Sequence, residues 1–84
     1  MAITISLIGP LRDKSGGVKQ LELEASTVSE LLDQLRERFG DELFDMARRA
    51  RIVVNGQAIQ FMRGERTPLR AGDEVAVMMP IGGG

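Results

Sequence analysis

Between Thr27 and Gly40 the chain carries one long amphipathic segment, and its apolar stripe requires a partner surface. Val28, Leu31, Leu32, Leu35 and Phe39 recur at three- and four-residue spacing, while Glu30, Asp33, Arg36 and Glu37 fall on the other side. This is the period of a helix with one buried face. Thr27 followed by Glu30 makes a capping box at its start, and Gly40 suits the position just past its end. A single helix of this length is not stable alone in water, so the remaining residues must supply what it packs on.

Those residues read as strands. Ile3, Ile5 and Leu7 alternate with Thr4 and Ser6 until Gly9-Pro10 ends the run. After Leu11 to Lys14 and the turn cluster Ser15-Gly16-Gly17, a second run from Val18 to Glu24 places Leu21 and Leu23 on one side, hairpin-paired with the first. Ile52-Val53-Val54 leads into Asn55-Gly56, the strongest two-residue hairpin signal because both positions tolerate positive φ, and the return strand continues to Ile59. Val75 and Val77 alternate with Glu74 and Ala76 in a last strand reaching Met79, and Pro80 stops it. Residues 41–50 hold Leu43, Phe44 and Ala47, an apolar face that predicts no more than a short helical turn. Residues 60–72, with Gly64, Pro68 and Gly72 among charges, predict an irregular connection with Leu69 as its one buried anchor. The order predicts an α+β fold, a sheet packed on one main helix. Residues 1–81 are expected to form the domain and 82–84 a flexible glycine tail.

Composition narrows the chemistry. The 84 residues fit one domain, without room for a separate catalytic one. Cysteine is absent, which removes disulfides, thiolate metal sites and cysteine nucleophiles, and with no histidine no metal site is expected. The net charge of -1 provides no general attraction to nucleic acid or membrane. No apolar run approaches a membrane span and the N-terminus lacks a signal pattern, so a cytoplasmic location is expected. Arg48, Arg49, Arg51, Arg63, Arg66 and Arg70 read as a solvated face, with Asp45 placed to pair with Arg49 on a helix. Asp41-Glu42 and Asp73-Glu74 read as cap and turn residues.

Beyond Pro80 stand only Ile81 and Gly82-Gly83-Gly84. Glycine lets a backbone pass through a narrow channel, and its freedom lets a terminal carboxylate reach a distant site. Such a carboxylate becomes an electrophile only after a partner converts one oxygen to a leaving group, for instance as an acyl-adenylate made with ATP. A frayed end is the plainer alternative. If Val75 and Val77 face the helix, Ala76 and Met78 face outward with Val53, an apolar patch for a partner beside the tail, with Pro80 stiffening the exit and Ile81 anchoring it. Scattered exposure of Met78 is the other reading.

Leu11-Arg12-Asp13-Lys14-Ser15-Gly16, Val54-Asn55-Gly56, Thr67-Pro68-Leu69, Ala71-Gly72-Asp73-Glu74-Val75 and Pro80-Ile81-Gly82-Gly83-Gly84 together resemble the ubiquitin-like sulfur carriers, the group of the small subunit of molybdopterin synthase and the thiamine-biosynthesis carrier. The resemblance implies a β-grasp sheet with the last strand beside the first. It implies that Gly84 is adenylated by an E1-like adenylyltransferase using ATP and converted to a thiocarboxylate, and that Gly83 makes the tail threadable. No cofactor bound to the chain and no activity of the chain alone are expected. The implied partners are that activating enzyme, a sulfur donor protein and a large synthase subunit in a heterotetramer for molybdopterin (molybdenum or tungsten cofactor) synthesis. They would be met through Val53, Ala76, Met78, Pro80, Ile81 and Gly82. Carriers for thiamine or cysteine synthesis, a modifier joined to lysines, and a plain binding module with an inert tail are the competing expectations. Gly82 stands where the family commonly has alanine or serine, Met79 where a second proline is common, and Ile8-Gly9-Pro10 where the molybdopterin branch has an aromatic segment.

Overall fold

Alternation along the strands is realised as a mixed sheet with one face closed by the helix. The computed structural model describes residues 2–79. Within them run β1 (Ile3–Ile8), α1 (Pro10–Lys14), β2 (Gln20–Leu23), α2 (Val28–Phe39), α3 (Asp41–Arg49), β3 (Arg51–Val54), β4 (Gln57–Ala58) and β5 (Glu74–Met78). The strand order is β2-β1-β5-β3-β4. β5 is parallel to β1, and the other pairings are antiparallel. The last strand thus lies beside the first in the middle of the sheet, as the resemblance implies.

Ile3, Ile5 and Leu7 of β1, Val75 and Val77 of β5, and Ile52 and Val54 of β3 point to one side and are buried. Val28, Leu31, Leu32 and Leu35 of α2 close over them, also buried, and removing these aliphatic surfaces from water is what joins helix to sheet. The helix begins as its sequence predicts, with Thr27 Oγ1 accepting from Glu30 N at 3.1 Å. Gly40, at φ 92°, ends α2 and at the same residue opens α3, a reversal that a side chain would strain.

Four features differ from the sequence expectation. Residues 41–49 form a full helix because the turn at Gly40 folds it back on α2, where Leu43 and Ala47 are buried. Arg36 Nε donates to Asp41 Oδ1 at 2.6 Å, and its guanidinium lies 4.8 Å from the centre of the Phe44 ring, across the corner. α1 was not anticipated; it forms because Pro10 starts it and Leu11, the next residue, is buried. The predicted Asp45–Arg49 ion pair is replaced by a bond from Arg49 Nε to the backbone carbonyl of Asp45 at 3.2 Å.

The 60–72 segment has more anchors than Leu69. Two 3-10 turns, Ile59–Phe61 and Gly64–Arg66, lead to Thr67, which is fully buried. Its hydroxyl donates to Gly64 O at 2.7 Å and accepts from Arg63 N at 3.1 Å, while its carbonyl accepts from Val28 N at 3.1 Å. Leu69 N then donates to Ser26 O at 2.9 Å, so the loop is fastened to the start of α2. Thr67→Val keeps the shape and leaves Arg63 N without its acceptor, while Gly64 O keeps the bond from Thr67 N at 3.0 Å. It is expected to lower unfolding free energy by about 1–3 kcal/mol in urea titrations, whereas Thr67→Ser restores most of it.

Candidate functional site

The sheet face turned away from α2 is sorted by parity. Because Ile5 and Leu7 face the core, Thr4, Ser6 and Ile8 face outward; because Val75 and Val77 face the core, so do Ala76 and Met78. Register sets these residues in rows. Ser6, Ala76, Val53 and Ala58 are successive neighbours across four strands, and Ile8, Met78 and Arg51 form the next row. Along β1 the outward positions run from Thr4 and Ser6 to apolar Ile8, so the apolar part lies at the end where β5 finishes.

Val53, Ala76 and Met78 are therefore brought together as the sequence predicts, all half-buried. Ile8, 37 % exposed, completes the patch and was missed. Its signal was available: an apolar residue at an outward position of an alternating strand. The turn residues Gly9-Pro10 drew it into the connection instead. Arg51 borders the patch with a cation. Met79 N donates to Ile8 O at 3.4 Å, so the chain stays bonded to β1 up to its last described residue. The predicted site residues Pro80, Ile81, Gly82, Gly83 and Gly84 lie outside the described residues. What is described is the place they leave from, the apolar corner formed by Ile8 and Met78.

At the other end of β5 two separate sequence motifs join. Asn55, at φ 49° in the β3–β4 turn, donates from Nδ2 to Asp73 Oδ1 at 3.0 Å and accepts at Oδ1 from Glu74 N at 2.9 Å. Its own N–H donates to Glu74 O at 2.8 Å. Asp73 Oδ2 also accepts from Arg70 N at 2.8 Å. This clasp fixes where β5 enters the sheet, and hence its register at the patch. The bond from Arg70 N, followed by that from the Asn55 amide, holds the Asp73 carboxyl below its usual pKa.

The fold is that of the ubiquitin-like β-grasp proteins. Over 99% of its length the chain superposes on small archaeal modifier protein 1 of Methanosarcina acetivorans, covering 96% of that chain with a TM-score of 0.84 and 22% identity. It superposes equally well on CysO in the BexX/CysO complex of Amycolatopsis orientalis, at TM-score 0.84 and 25% identity, over 99% of this chain and 100% of that one. A molybdopterin converting factor subunit 1 of Pyrococcus furiosus matches at TM-score 0.76 and 22% identity over 96% and 99%. In sequence, a protein of Archaeoglobus fulgidus that carries a sulfur-carrier name is 29% identical over the full length of both chains. The model of the ThiS family matches residues 5–84, and the chain belongs to that family. Its kind is that of the small ubiquitin-like sulfur carriers.

Because Asp73 has a lowered pKa when folded, its contribution to stability is complete above the ordinary aspartate value of about 3.9 and is lost as pH falls through the folded value. Urea midpoints followed from neutral pH downward should show the wild type losing more stability below roughly pH 4 than Asp73→Asn, whose curve is flatter there. Equal slopes would mean that the clasp does not act through the charge.

Proposed function

We propose that the chain carries sulfur as a thiocarboxylate on Gly84 and delivers it in molybdopterin synthesis. The activating enzyme is E1-like: a Gly84 carboxylate oxygen attacks the α-phosphorus of ATP and pyrophosphate leaves. Hydrosulfide released by a donor protein then attacks the acyl carbon and AMP leaves, which gives the thiocarboxylate. The thiocarboxylate enters the active site of a large synthase subunit, where its sulfur attacks an acceptor carbon and displaces an oxygen leaving group; hydrolysis of the resulting thioester leaves the sulfur on the acceptor and restores the carboxylate. ATP is consumed by the activating enzyme, the chain itself holds no cofactor, and the cytoplasm is the compartment that supplies these partners.

The family match reaching residue 84 is what supports this reading most, because it includes the glycines with the domain. The outer face adds a reason why such a tail would be delivered well. Ile8, Val53, Ala76 and Met78 present apolar surface at the corner from which residues 80–84 continue, so a partner that covers the patch receives the tail beside it. The ending Pro80-Ile81-Gly82-Gly83-Gly84 favours the molybdopterin branch.

Incubation with a cognate activating enzyme, ATP and a sulfur donor should shift the intact mass by the difference between sulfur and oxygen, and deletion of Gly84 should abolish both the shift and sulfur transfer to a molybdopterin precursor. A persistent carboxylate, or transfer surviving the deletion, overturns the proposal; isopeptide-linked tails on protein lysines would place the chain with the modifiers instead. Met78→Asp, which charges the patch and leaves the core untouched, is expected to reduce adenylation efficiency about tenfold or more through weaker docking, with an unchanged circular dichroism spectrum.

A further inference from the structure

A second exposed surface lies apart from the patch and the tail. β4 is the edge of the sheet, and the chain leaving it runs through the two 3-10 turns between residues 59 and 66. Phe61 is 74 % exposed and Met62 38 %; with Ile8 they are the large apolar side chains left in water among the described residues. They line a shallow depression with Gln57, Arg63, Pro68 and Arg70. Gln57 pairs with Val54 beside the Asn55–Gly56 turn and Arg70 bonds Asp73, which puts this depression toward the end of the sheet where β5 begins. The tail leaves from the opposite end.

The loop is held in place. Met62 N donates to Ile59 O at 2.9 Å, Ile59 packs against the core, and buried Thr67 binds the backbone on both sides of Arg63-Gly64. An aromatic ring is thus kept in solvent by a fastened backbone, although the chain gains nothing for its own core from it.

Charge indicates what would cover it. Residues 48–70 contain six arginines and one acid, Glu65, whereas residues 1–47 contain nine acids and five bases. Glu65 is engaged with Arg48 at 3.8 Å, and Asp73 is already bonded by Arg70 N and Asn55. Among the described residues the guanidinium groups of Arg63 and Arg66 have no ion-pair partner, and both residues are exposed.

We infer that the depression around Phe61 is a second docking site, for an acidic segment of a partner protein that seats an apolar side chain against Phe61, Met62 and Pro68. Carboxylates flanking that side chain meet Arg63, Arg66 and Arg70, and removing Phe61 from water supplies the anchor. Methionine and proline suit aliphatic or aromatic side chains of more than one shape. A protein segment fits better than nucleic acid, because a single ring offers no second platform on which consecutive bases would stack. The site goes beyond sulfur delivery: it allows a partner to hold the domain while the opposite end of the sheet presents the tail.

A display library of random short peptides selected on the full chain tests this directly. Selected peptides should be acidic around one aromatic or aliphatic residue, should shift backbone amide resonances of residues 57–70, and should lose about tenfold or more in affinity to Phe61→Ser and to the double variant Arg63→Gln/Arg66→Gln. Phe61 is too exposed for its replacement to unfold the domain. Deletion of residues 82–84 should leave peptide affinity unchanged, which separates this site from the proposed carrier chemistry. Selection of neutral peptides, shifts confined to Ile8, Val53 and Met78, or binding indifferent to Phe61→Ser overturns the inference. So does a single-stranded oligouridine that shifts the same amides more tightly than the peptides, since the surface would then belong to nucleic acid.

Discussion

The parallel pairing of β1 with β5 is the contact on which the rest of the molecule depends. Ile5 lies beside Val75 and Leu7 beside Val77, all fully or almost fully buried under α2. The pairing joins the two ends of the described chain at the centre of the sheet, where neither strand has a free edge. Side chains alternate with period two, so a slip of one residue would drive Ala76 and Met78 into the core and turn Val75 and Val77 outward. Burial of one face therefore fixes the composition of the other. The apolar corner at Ile8 and Met78 is a consequence of the same register that builds the core.

That dependence explains which features could be read from the sequence. Strand alternation and the α2 stripe report burial directly, so the strands, the main helix, its Thr27 cap and the outward positions of Val53, Ala76 and Met78 were all legible. α3 was not, because its buried face is only Leu43 and Ala47, and its stability comes from the reversal at Gly40 and the contact of Arg36 with Phe44. Thr67 was missed because a hydroxyl carries no hydrophobic signal; its burial is permitted by two local hydrogen bonds that only the folded loop supplies. The clasp between Asn55 and Asp73 spans 18 residues, and each residue alone reads as an ordinary turn former. The role proposed for residues 80–84 rests on chemistry and resemblance, and they lie outside the described residues.

The clasp fixes where β5 enters the sheet, and the bond from Met79 N to Ile8 O holds it where it leaves. A partner of the kind proposed would meet a surface whose side chains are already placed, and little entropy would be lost in ordering it. The uneven charge of the domain has a related effect: it orients an approaching partner before contact, and it does so without a large net charge that would attract unrelated polyanions.

An activated carboxylate is vulnerable to any nearby nucleophile, including those of its own domain. The chain has no cysteine and no histidine, and arginine accounts for most of its cations; Lys14 and Lys19 are its only lysines. Arginine stays protonated and its guanidinium is a poor nucleophile, so nine of the eleven basic residues supply charge without competing for an acyl group. Lys14 is further engaged in an ion pair with Glu42. For a carrier of the kind proposed, this composition protects the intermediate: the domain contributes shape and charge for recognition, and the reacting sulfur is left to come from outside.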